Sequence, residues 1–313
     1  MLVACSGGPD SLALTAAVAW VGVKRGWQVA AEVVDHGLQT DSAAVAAGAR
    51  KACEGLGVPA AVTRVRVGTR GGPEAAARDA RYAALRSRAH RDAVAAVMLG
   101  HTRDDQAETV LLRLARGSGA RSLAAMARVD GLWRRPLLDL PRVLVRRAAE
   151  DALGPLGLEP WSDPHNEDPR FARVRIRRML GELTQALGPG VVEGLARTAD
   201  ALRDDADALD AMAESAYLVA RDCADSLDSA GSHDSLAVGA LESLPAALRT
   251  RVIRRWLLTA GCPSEDLDRA HVISVANLVT QWHGQGPIPL PGGCSVRRAY
   301  GRLRIDGRQS PGG

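Results

Sequence analysis

The chain has 313 residues, of which 46% are hydrophobic and 24% charged, and its formal net charge is +4 at pH 7. These values are typical of a soluble two-domain protein, and the sequence contains neither an apolar run long enough to span a membrane nor a signal peptide. The five cysteines are scattered without a CxxC pair, which argues against a disulfide framework, an iron–sulfur cluster and a structural zinc site.

The first half of the chain alternates strand and helix patterns. Short apolar runs rich in Val and Ala predict buried strands near 1–5, 28–34, 60–67, 94–100 and 131–133. The stretches between and after them predict helices near 10–25, 41–56, 73–92, 103–116 and 142–153. Regular alternation of this kind predicts an α/β fold, in which helices cover both faces of a parallel sheet.

The second half is mainly helical and ends in a smaller unit. Residues 155–170 are dense in Pro, Gly and acidic side chains and predict a loop, after which a basic helix and a helical stretch at 191–226 follow. Residues 227–235 predict a flexible break. The sequence after it predicts helices at 246–260 and 267–282 and a strand pair across Pro291–Gly293. We predict three parts: an α/β domain at 1–160, an Arg-rich helical linker at 161–235 and a small α+β domain at 236–313.

A glycine-rich loop follows the first predicted strand, with the sequence Ser6-Gly7-Gly8-Pro9-Asp10-Ser11. Glycine here lets backbone N–H groups converge on an anion, and the following helix adds the positive end of its dipole. The lysine of a Walker loop is missing, so attack at the α-phosphorus with diphosphate as the leaving group suits this loop better than γ-phosphoryl transfer. The loop resembles the PP-loop of the N-type ATP pyrophosphatases, which implies that its six residues bind ATP.

A second polar motif follows the fourth predicted strand. Its members His101, Asp104, Asp105 and Glu108 share one face of the predicted helix, with Thr102 as the N-cap. This face could hold Mg²⁺ or position a nucleophile, although an ordinary capped acidic helix start has the same pattern. In a sheet of order 3-2-1-4-5 strands 1 and 4 are neighbours, so we expect both motifs to face one crevice.

Further motifs occur in a fixed order along the chain. After the glycine-rich loop they are Asp35-His36-Gly37-Leu38, residues 73–82, residues 101–109, residues 113–119 and Arg135-Pro136-Leu137-Leu138. Residues 163–177 follow the pattern D-x-S-N-x-D-x-x-F-x-R-N-x-I-R, except that His165 replaces the Ser and Val174 the second Asn. This series, over nearly the whole chain, resembles the tRNA(Ile)-lysidine synthase family, whose fold is a Rossmann-like PP-loop domain followed by substrate-binding parts.

The resemblance implies a specific reaction. Members of this family join free lysine to C2 of the wobble cytidine in the CAU anticodon of tRNA(Ile). ATP first adenylates the cytidine O2, and the lysine ε-amine then attacks C2 and expels AMP. On this basis we expect ATP and Mg²⁺ as cofactors, and lysine and tRNA(Ile) as substrates. Asp10, Asp104 and Asp105 are the expected catalytic residues, and Asp10 and Asp104 the expected magnesium ligands.

Several basic residues are candidates for substrate contacts. Arginine suits phosphate groups by its charge and geometry, although a solvated arginine-rich helix would have the same sequence pattern. The predicted tRNA contacts are Arg170, Arg173, Arg175 and Arg177. Candidates for contacts with ATP or substrate are His36, Arg78, His101 and Glu108; a structural role is the alternative for His36, and a surface role for Arg78. The unit at 236–313 resembles the substrate-binding module of the family and is expected to bind tRNA.

Two alternatives stay open at this point. The first is another PP-loop enzyme, of the tRNA thiolation type, which would share the loop. Such an enzyme needs cysteines or an iron–sulfur cluster for sulfur transfer, whereas Cys5, beside the loop, has no second cysteine nearby in the sequence. A catalytically silent tRNA-binding protein is a second alternative, which the intact loop and the pair Asp104 and Asp105 oppose. We expect a cytoplasmic protein without membrane contact, and a homodimer is one possible assembly.

The two ends of the chain differ from the usual family pattern. The first strand begins almost at Met1, whereas family members usually have a helix before the loop, so we expect either that this helix is missing or that the true start lies upstream. Longer family members carry another C-terminal domain, without which the selection of tRNA would depend on fewer contacts.

Overall fold

The computed structural model describes residues 1–69, 72–117, 119–163, 168–225 and 235–306. The chain forms two compact units, residues 1–203 and residues 204–313. The three-part division with boundaries near 160 and 235 stays a prediction. His165 and nearly all of the predicted break at 227–235 lie outside the described residues.

A six-stranded sheet forms the centre of the first unit. Its strands are β1 (Leu2–Cys5), β2 (Ala30–Asp35), β3 (Ala60–Arg64), β4 (Val97–Met98), β5 (Val129–Asp130) and β6 (Trp133–Arg134). The order is β3-β2-β1-β4-β6-β5, and every neighbouring pair is parallel except β5 with β6. The predicted parallel order is confirmed, with β6 as the fifth strand. The sequence does not predict β5, because two residues carry no periodic signal.

Six helices of the first unit follow or connect these strands. They are α1 (Pro9–Arg25), α2 (Ser42–Gly55), α3 (Pro73–Arg91), α4 (Arg103–Leu114), the short α5 (Ala120–Leu123) and α6 (Arg142–Leu153). All except α5 match predicted helices to within two residues at each end. The bounds of α1 have a local cause, since proline suits the first helical position and Gly26 adopts the left-handed conformation that ends the helix, with φ 68°.

The sheet is buried on both faces because successive side chains of a strand point to opposite sides. In β1, Leu2 belongs to a cluster with Leu85 of α3 and Trp133 of β6. Its neighbour Val3 belongs to the cluster on the other face, with Leu12 of α1. This burial explains why the strands read as continuous apolar runs. Because all strands except β5 are parallel, their carboxyl ends lie at one edge of the sheet.

Two helices follow the sheet, α7 (Ala172–Leu187) and the long α8 (Val191–Asp225), which crosses the boundary between the units. The sequence predicts both, as a basic helix and as the helical stretch at 191–226. None of the helices in the described part of the chain is both long and apolar enough to pass through a lipid bilayer.

The second unit combines a four-stranded antiparallel sheet with helices. Its further elements are β7 (Ser235–Ala237), α9 (Val238–Glu242), α10 (Ala246–Thr259), α11 (Arg269–Thr280), β8 (Ile288–Leu290), β9 (Cys294–Ala299) and β10 (Arg302–Asp306). The strand order is β7-β10-β9-β8, and β8 pairs with β9 across Pro291–Gly293, which confirms the predicted strand pair. Trp256 of α10 is completely buried in the core of this unit, together with Leu236 and Leu303 from the sheet.

Candidate active site

The glycine-rich loop and the His101 motif lie side by side at the carboxyl edge of the first sheet. The loop follows β1, the motif follows β4, and these two strands are paired neighbours. Gly100 makes the approach close, because a Cβ atom there would lie 3.0 Å from the carbonyl oxygen of Asp10 and 3.3 Å from the Cα of Ser11. The backbone after β4 therefore packs directly on the start of α1.

The conformation of the glycine-rich loop is fixed by Ser11. This side chain is 8% exposed, and its Oγ accepts a hydrogen bond from the Ser6 N–H at 3.1 Å and donates one to the Gly8 carbonyl at 2.9 Å. Gly7 has φ 82°, and a Cβ atom there would lie 2.9 Å from the Cβ of Ala49. Only glycine fits this position without displacing α2.

The start of α1 leaves backbone donors available. The N–H of Leu12 makes the first hydrogen bond of the helix, to the carbonyl of Gly8 at 3.0 Å. The N–H groups of Asp10 and Ser11 precede it and have no acceptor within the helix, and Pro9 has no N–H at all. These donors and the positive end of the helix dipole form an anion site next to Gly7 and Gly8.

Four carboxylates converge on the first residue of α6, Arg142. Its Nη2 lies 2.7 Å from Asp105 Oδ1, and its Nη1 lies 2.9 Å from Glu108 Oε1. Its Nε is 3.8 Å from Asp10 Oδ2, and its backbone N–H donates a hydrogen bond to Asp104 Oδ2 at 2.8 Å. Arg142 is only 8% exposed, so this residue links both predicted motifs in a largely buried network.

Sequence analysis misses Arg142, which lies in no predicted site motif. One signal could have found it. The helix dipole disfavours a cation in the first turn of a helix, so an arginine at the start of α6 needs carboxylates nearby to offset that cost. The planar guanidinium presents several donors at once, which allows it to hold two carboxylates in one geometry.

Asp105 is held in a fixed position. Its Oδ2 accepts hydrogen bonds from the Thr102 N–H at 2.7 Å and from the Thr102 Oγ1 at 2.8 Å, as expected for the predicted N-cap. Burial alone would raise the pKa of Asp105, but Arg142 and the Thr102 N–H outweigh it and hold that pKa below its usual range. Asp105 is therefore ionised at pH 7. The neighbouring Asp104 lines a cavity of about 600 Å³, and Arg142 lines the same cavity.

Two carboxylate oxygens of the network around Arg142, Asp10 Oδ1 and Glu108 Oε2, are buried without a hydrogen-bond partner among the described residues. The other oxygen of Glu108, Oε1, contacts both Arg142 Nη1 and Arg177 Nε at 2.9 Å. Burial raises the pKa of Asp10, and the charge of Arg142 opposes that shift. Because an unpaired buried carboxylate oxygen is costly, these two atoms indicate where a ligand supplies a cation or a donor.

His36 and His101, the two histidines that are candidates for substrate contacts, are both affected by the positive charge of Arg81. Burial and the charge of Arg81 lower the pKa of His101 to about 3, and the same two causes lower the pKa of His36. Nδ1 of each ring is buried and has no partner in the described part of the chain. Arg78 also acts on His101, and its Nη2 donates a hydrogen bond to the Tyr82 hydroxyl at 3.4 Å. Both rings are thus neutral at pH 7.

The structure separates the four arginines that follow the loop at 155–170. Arg177 contacts Glu108 inside the carboxylate network. Arg173 Nε lies 3.1 Å from Glu74 Oε1 at the start of α3. Arg170 is exposed and pairs with Asp168 at 2.7 Å, while Arg175 donates hydrogen bonds to backbone carbonyls of the preceding turn. Only Arg177 therefore lies within the cluster of Asp10, Asp104, Asp105 and Glu108.

Two family models match the chain. Residues 1–184 match a family described as the PP-loop domain, and residues 236–304 match the TilS substrate binding domain. The first match contains the glycine-rich loop and every site residue described above.

Curated relatives match over almost the whole chain. A tRNA(Ile)-lysidine synthase of Thermobifida fusca is 52% identical over 307 residues, which are 97% of this chain and 91% of the relative. Proteins of the same name from Streptomyces coelicolor and Mycobacterium tuberculosis are 49% and 48% identical, covering 97% and 98% of this chain and 84% and 88% of the relatives.

One solved structure resembles the fold. It is the U34-tRNA thiolase NcsA from Methanococcus maripaludis with its 4Fe-4S cluster, with a TM-score of 0.54 and 18% sequence identity. The alignment covers 65% of this chain and 71% of that protein. At this identity the likeness concerns the fold alone.

Proposed function

The chain belongs to the tRNA(Ile)-lysidine synthase family, and on that premise we propose that it joins lysine to C2 of the wobble cytidine of tRNA(Ile) with the CAU anticodon. ATP is consumed, and AMP and diphosphate are released. The observation that carries this proposal is the meeting of the PP-loop with the carboxylate network around Arg142, in a chain that also contains the substrate-binding domain.

ATP binds with its phosphates at the start of α1. The free N–H groups of Asp10 and Ser11 and the helix dipole stabilise the negative charge of the phosphates, and Gly7 and Gly8 allow them to approach the backbone. Ser6 and Ser11 keep the loop in this conformation through their mutual hydrogen bonds. As the cytidine O2 bonds to the α-phosphorus, diphosphate leaves, and preorganised donors stabilise the charge that develops on it.

Residues at the site fit a magnesium ion, which we propose as a cofactor. Mg²⁺ is usually bound by one or two carboxylates together with substrate phosphates, and Asp10 Oδ1 is a buried carboxylate oxygen without a hydrogen-bond partner in the described part of the chain. Asp10 and Asp104 would hold the ion. The described residues include no group of three acidic, His or Cys side chains arranged around a metal, so phosphates would complete the ligand set. When bound, Mg²⁺ neutralises charge on the transferred and departing phosphates.

The carboxylate network also provides a place for lysine. We propose that Asp104 and Asp105 orient the incoming amine, with the unpaired Glu108 Oε2 as a further acceptor. Carboxylates that stay ionised attract an ammonium group and accept hydrogen bonds from the amine as its nitrogen attacks C2. The C2–O2 bond then breaks, and AMP leaves with the former O2 as one of its phosphate oxygens. Arg142 holds Asp105 and Glu108 in place for this step.

The RNA substrate needs contacts outside the reacting centre. We propose that Arg170, Arg173, Arg175 and Arg177 contribute to tRNA binding, together with the domain at 236–304. The exposure of Arg170 and the position of Arg173 beside α3 support phosphate contacts, because arginine can bind phosphate oxygens with two donors. His36 follows β2, which is the neighbour of β1 in the sheet, and Arg78 acts on His101, so both remain candidates for contacts with ATP or the target base.

Incorporation of labelled lysine into a tRNA(Ile) transcript with the CAU anticodon tests the proposal. We expect incorporation that needs ATP and Mg²⁺ and forms one AMP per lysine, and a wobble uridine in place of the cytidine should abolish it. Folded protein that binds the transcript but incorporates no lysine would contradict the assignment and favour a silent tRNA-binding protein.

A further inference from the structure

A segment that follows α6 crosses the glycine-rich loop. We define the crossing segment as residues 158–163. The Trp161 N–H in this segment donates a hydrogen bond to the carbonyl oxygen of Gly7 at 2.9 Å. A Cβ atom on Gly7 would lie 3.9 Å from the Cβ of Trp161, and a Cβ atom on Gly8 would lie 3.9 Å from the Trp161 carbonyl oxygen. The backbone of both glycines therefore lies against the crossing segment.

The crossing segment is held in place at both of its ends. Leu158 packs on the hydrophobic core beside α2, where a Cβ atom on Gly55 would lie 2.9 Å from the Leu158 Cδ1. At the other end, Asp163 Oδ1 accepts a hydrogen bond from Gln39 Nε2 at 3.1 Å. Neither of these contacts involves the glycine-rich loop. The position of the Trp161 N–H is therefore set independently of the loop to which it donates.

The hydrogen bond from Trp161 fixes the direction of one backbone donor in the loop. A trans peptide bond joins Gly7 to Gly8, so the Gly7 carbonyl and the Gly8 N–H lie in one plane and point in opposite directions. Because the Gly7 carbonyl points at Trp161, the Gly8 N–H points away from the crossing segment. This N–H has no acceptor in the described part of the chain. It is thus an available donor one residue before α1.

Two adjacent glycines do not select this direction by themselves. Glycine lacks the Cβ atom that restricts φ and ψ, so a peptide group between two glycines can turn over at little cost. After such a turn the Gly7 carbonyl oxygen would replace the Gly8 N–H, and its partial negative charge would repel a phosphate. The freedom that lets an anion approach the loop closely therefore requires a further contact that selects one orientation. The Trp161 N–H makes that contact.

We propose that the crossing segment positions the glycine-rich loop for the phosphates of ATP. The Trp161 N–H holds the Gly7 carbonyl, and the Gly8 N–H then donates to a phosphate oxygen beside the N–H groups of Asp10 and Ser11. The inference rests on the proposed function, because it concerns the proposed ATP site. Trp161 acts through Gly7 and is a positioning residue.

A comparison of Trp161→Pro with Trp161→Ala tests the proposal. Both variants lose the indole, but only proline lacks the backbone N–H. We expect the Kd for ATP, measured by isothermal titration, to be roughly three- to tenfold higher in Trp161→Pro than in Trp161→Ala, as for the loss of one hydrogen bond. Inhibition of lysine incorporation by inorganic diphosphate should weaken by a similar factor, because diphosphate needs the same donors. The KM for lysine and the Kd for the CAU tRNA(Ile) transcript should be equal in the two variants.

Leu158→Ala is a second variant, which contains no added proline. It keeps every backbone N–H and loosens the crossing segment from α2. We expect it to raise the Kd for ATP above the wild-type value, by less than Trp161→Pro does. A thermal melt of each variant checks that the fold is intact.

The outcomes separate the explanations. Equal ATP affinity in Trp161→Pro and Trp161→Ala would overturn the proposal, and so would a loss confined to lysine or transcript binding. If Trp161→Pro does not fold, wild-type ATP affinity in Leu158→Ala overturns it. If the wild-type protein binds no ATP and incorporates no lysine, the proposed function fails. If it does both while every variant binds ATP equally well, only the role of the crossing segment fails.

Discussion

The carboxylate of Asp10 has one buried oxygen, Oδ1, that finds no hydrogen-bond partner among the residues that the structure describes. Burial raises the pKa of this group, so at pH 7 the folded protein keeps a charge that the unfolded chain accommodates more easily. A residue that disfavours folding in this way indicates a function that needs the charge. The charge of Arg142, in contrast, favours folding, because its ion pairs with Asp105 and Glu108 stabilise the fold and also hold the site together.

Asp10→Asn separates function from stability at one residue. We expect lysine incorporation to be lost because the charge is removed, while transcript binding persists. The folded-state pKa of Asp10 is raised, so its ionised form destabilises the fold above that pKa. The melting temperature at pH 7 should therefore stay the same or rise. A variant that fails to fold would show instead that Asp10 is structural.

Arg142→Met should lose both stability and activity. Removing one partner of a buried ion pair typically costs about 3–5 kcal/mol, since the carboxylates of Asp105 and Glu108 would remain without their cation. Urea unfolding measures this loss, and lysine incorporation measures the activity. Arg25→Met, at an exposed arginine in the last turn of α1, is the control and should behave as wild type.

The loss of unfolding free energy in Arg142→Met should depend on pH. Arg142 and Thr102 hold the pKa of Asp105 below its unfolded value, so this pairing stabilises the fold above pH of about 4 and loses its effect as the pH falls through the lowered pKa. The stability difference between wild type and variant should shrink over that range. A difference that stays constant from neutral to acidic pH would contradict the ion-pair explanation.

At the scale of elements, the site depends on how closely the end of β4 approaches α1. Gly100 sets this distance, because it has no Cβ atom to meet the backbone of Asp10. The loop after β1 is constrained in the same way by Gly7 and Ala49 of α2. Contacts between backbones, and not only side chains, therefore bring the two motifs together.

Gly100→Ala should push α1 away from β4. A Cβ atom 3.0 Å from the Asp10 carbonyl oxygen cannot be accommodated by a flexible side chain, so we expect a loss of about 1–3 kcal/mol in unfolding free energy and weaker ATP binding. Gly48→Ala in α2 is the control, since nothing lies within 4 Å of its added Cβ atom, and it should stabilise the fold by about 0.5–1 kcal/mol. Equal effects of the two substitutions would contradict the contact argument.

At the scale of the molecule, two units have separate cores. The first unit contains the proposed ATP site and the two hydrophobic clusters on either face of the sheet, whereas the second has its own core around Trp256. Units with separate cores can carry separate functions, here nucleotide chemistry in the first unit and substrate binding in the second.

Trp256→Ala tests this division. Truncating a completely buried tryptophan typically costs about 3–5 kcal/mol, which should destabilise the second unit. We expect ATP binding by isothermal titration to stay normal at low temperature, while transcript binding is weakened. Loss of ATP binding together with transcript binding would show that the two units do not function separately.

The sequence alone determined the fold class and most helix bounds, because hydrophobic periodicity and glycine or proline at helix ends are local signals. The expected strand order came from the general pattern of doubly wound sheets. The sequence also located the glycine-rich loop and the Asp104 and Asp105 pair. Only the tertiary structure decided that Arg142 joins those motifs and that Arg177 contacts Glu108. These contacts join residues 34 to 132 positions apart, and no local pattern encodes which charges meet when distant segments pack together.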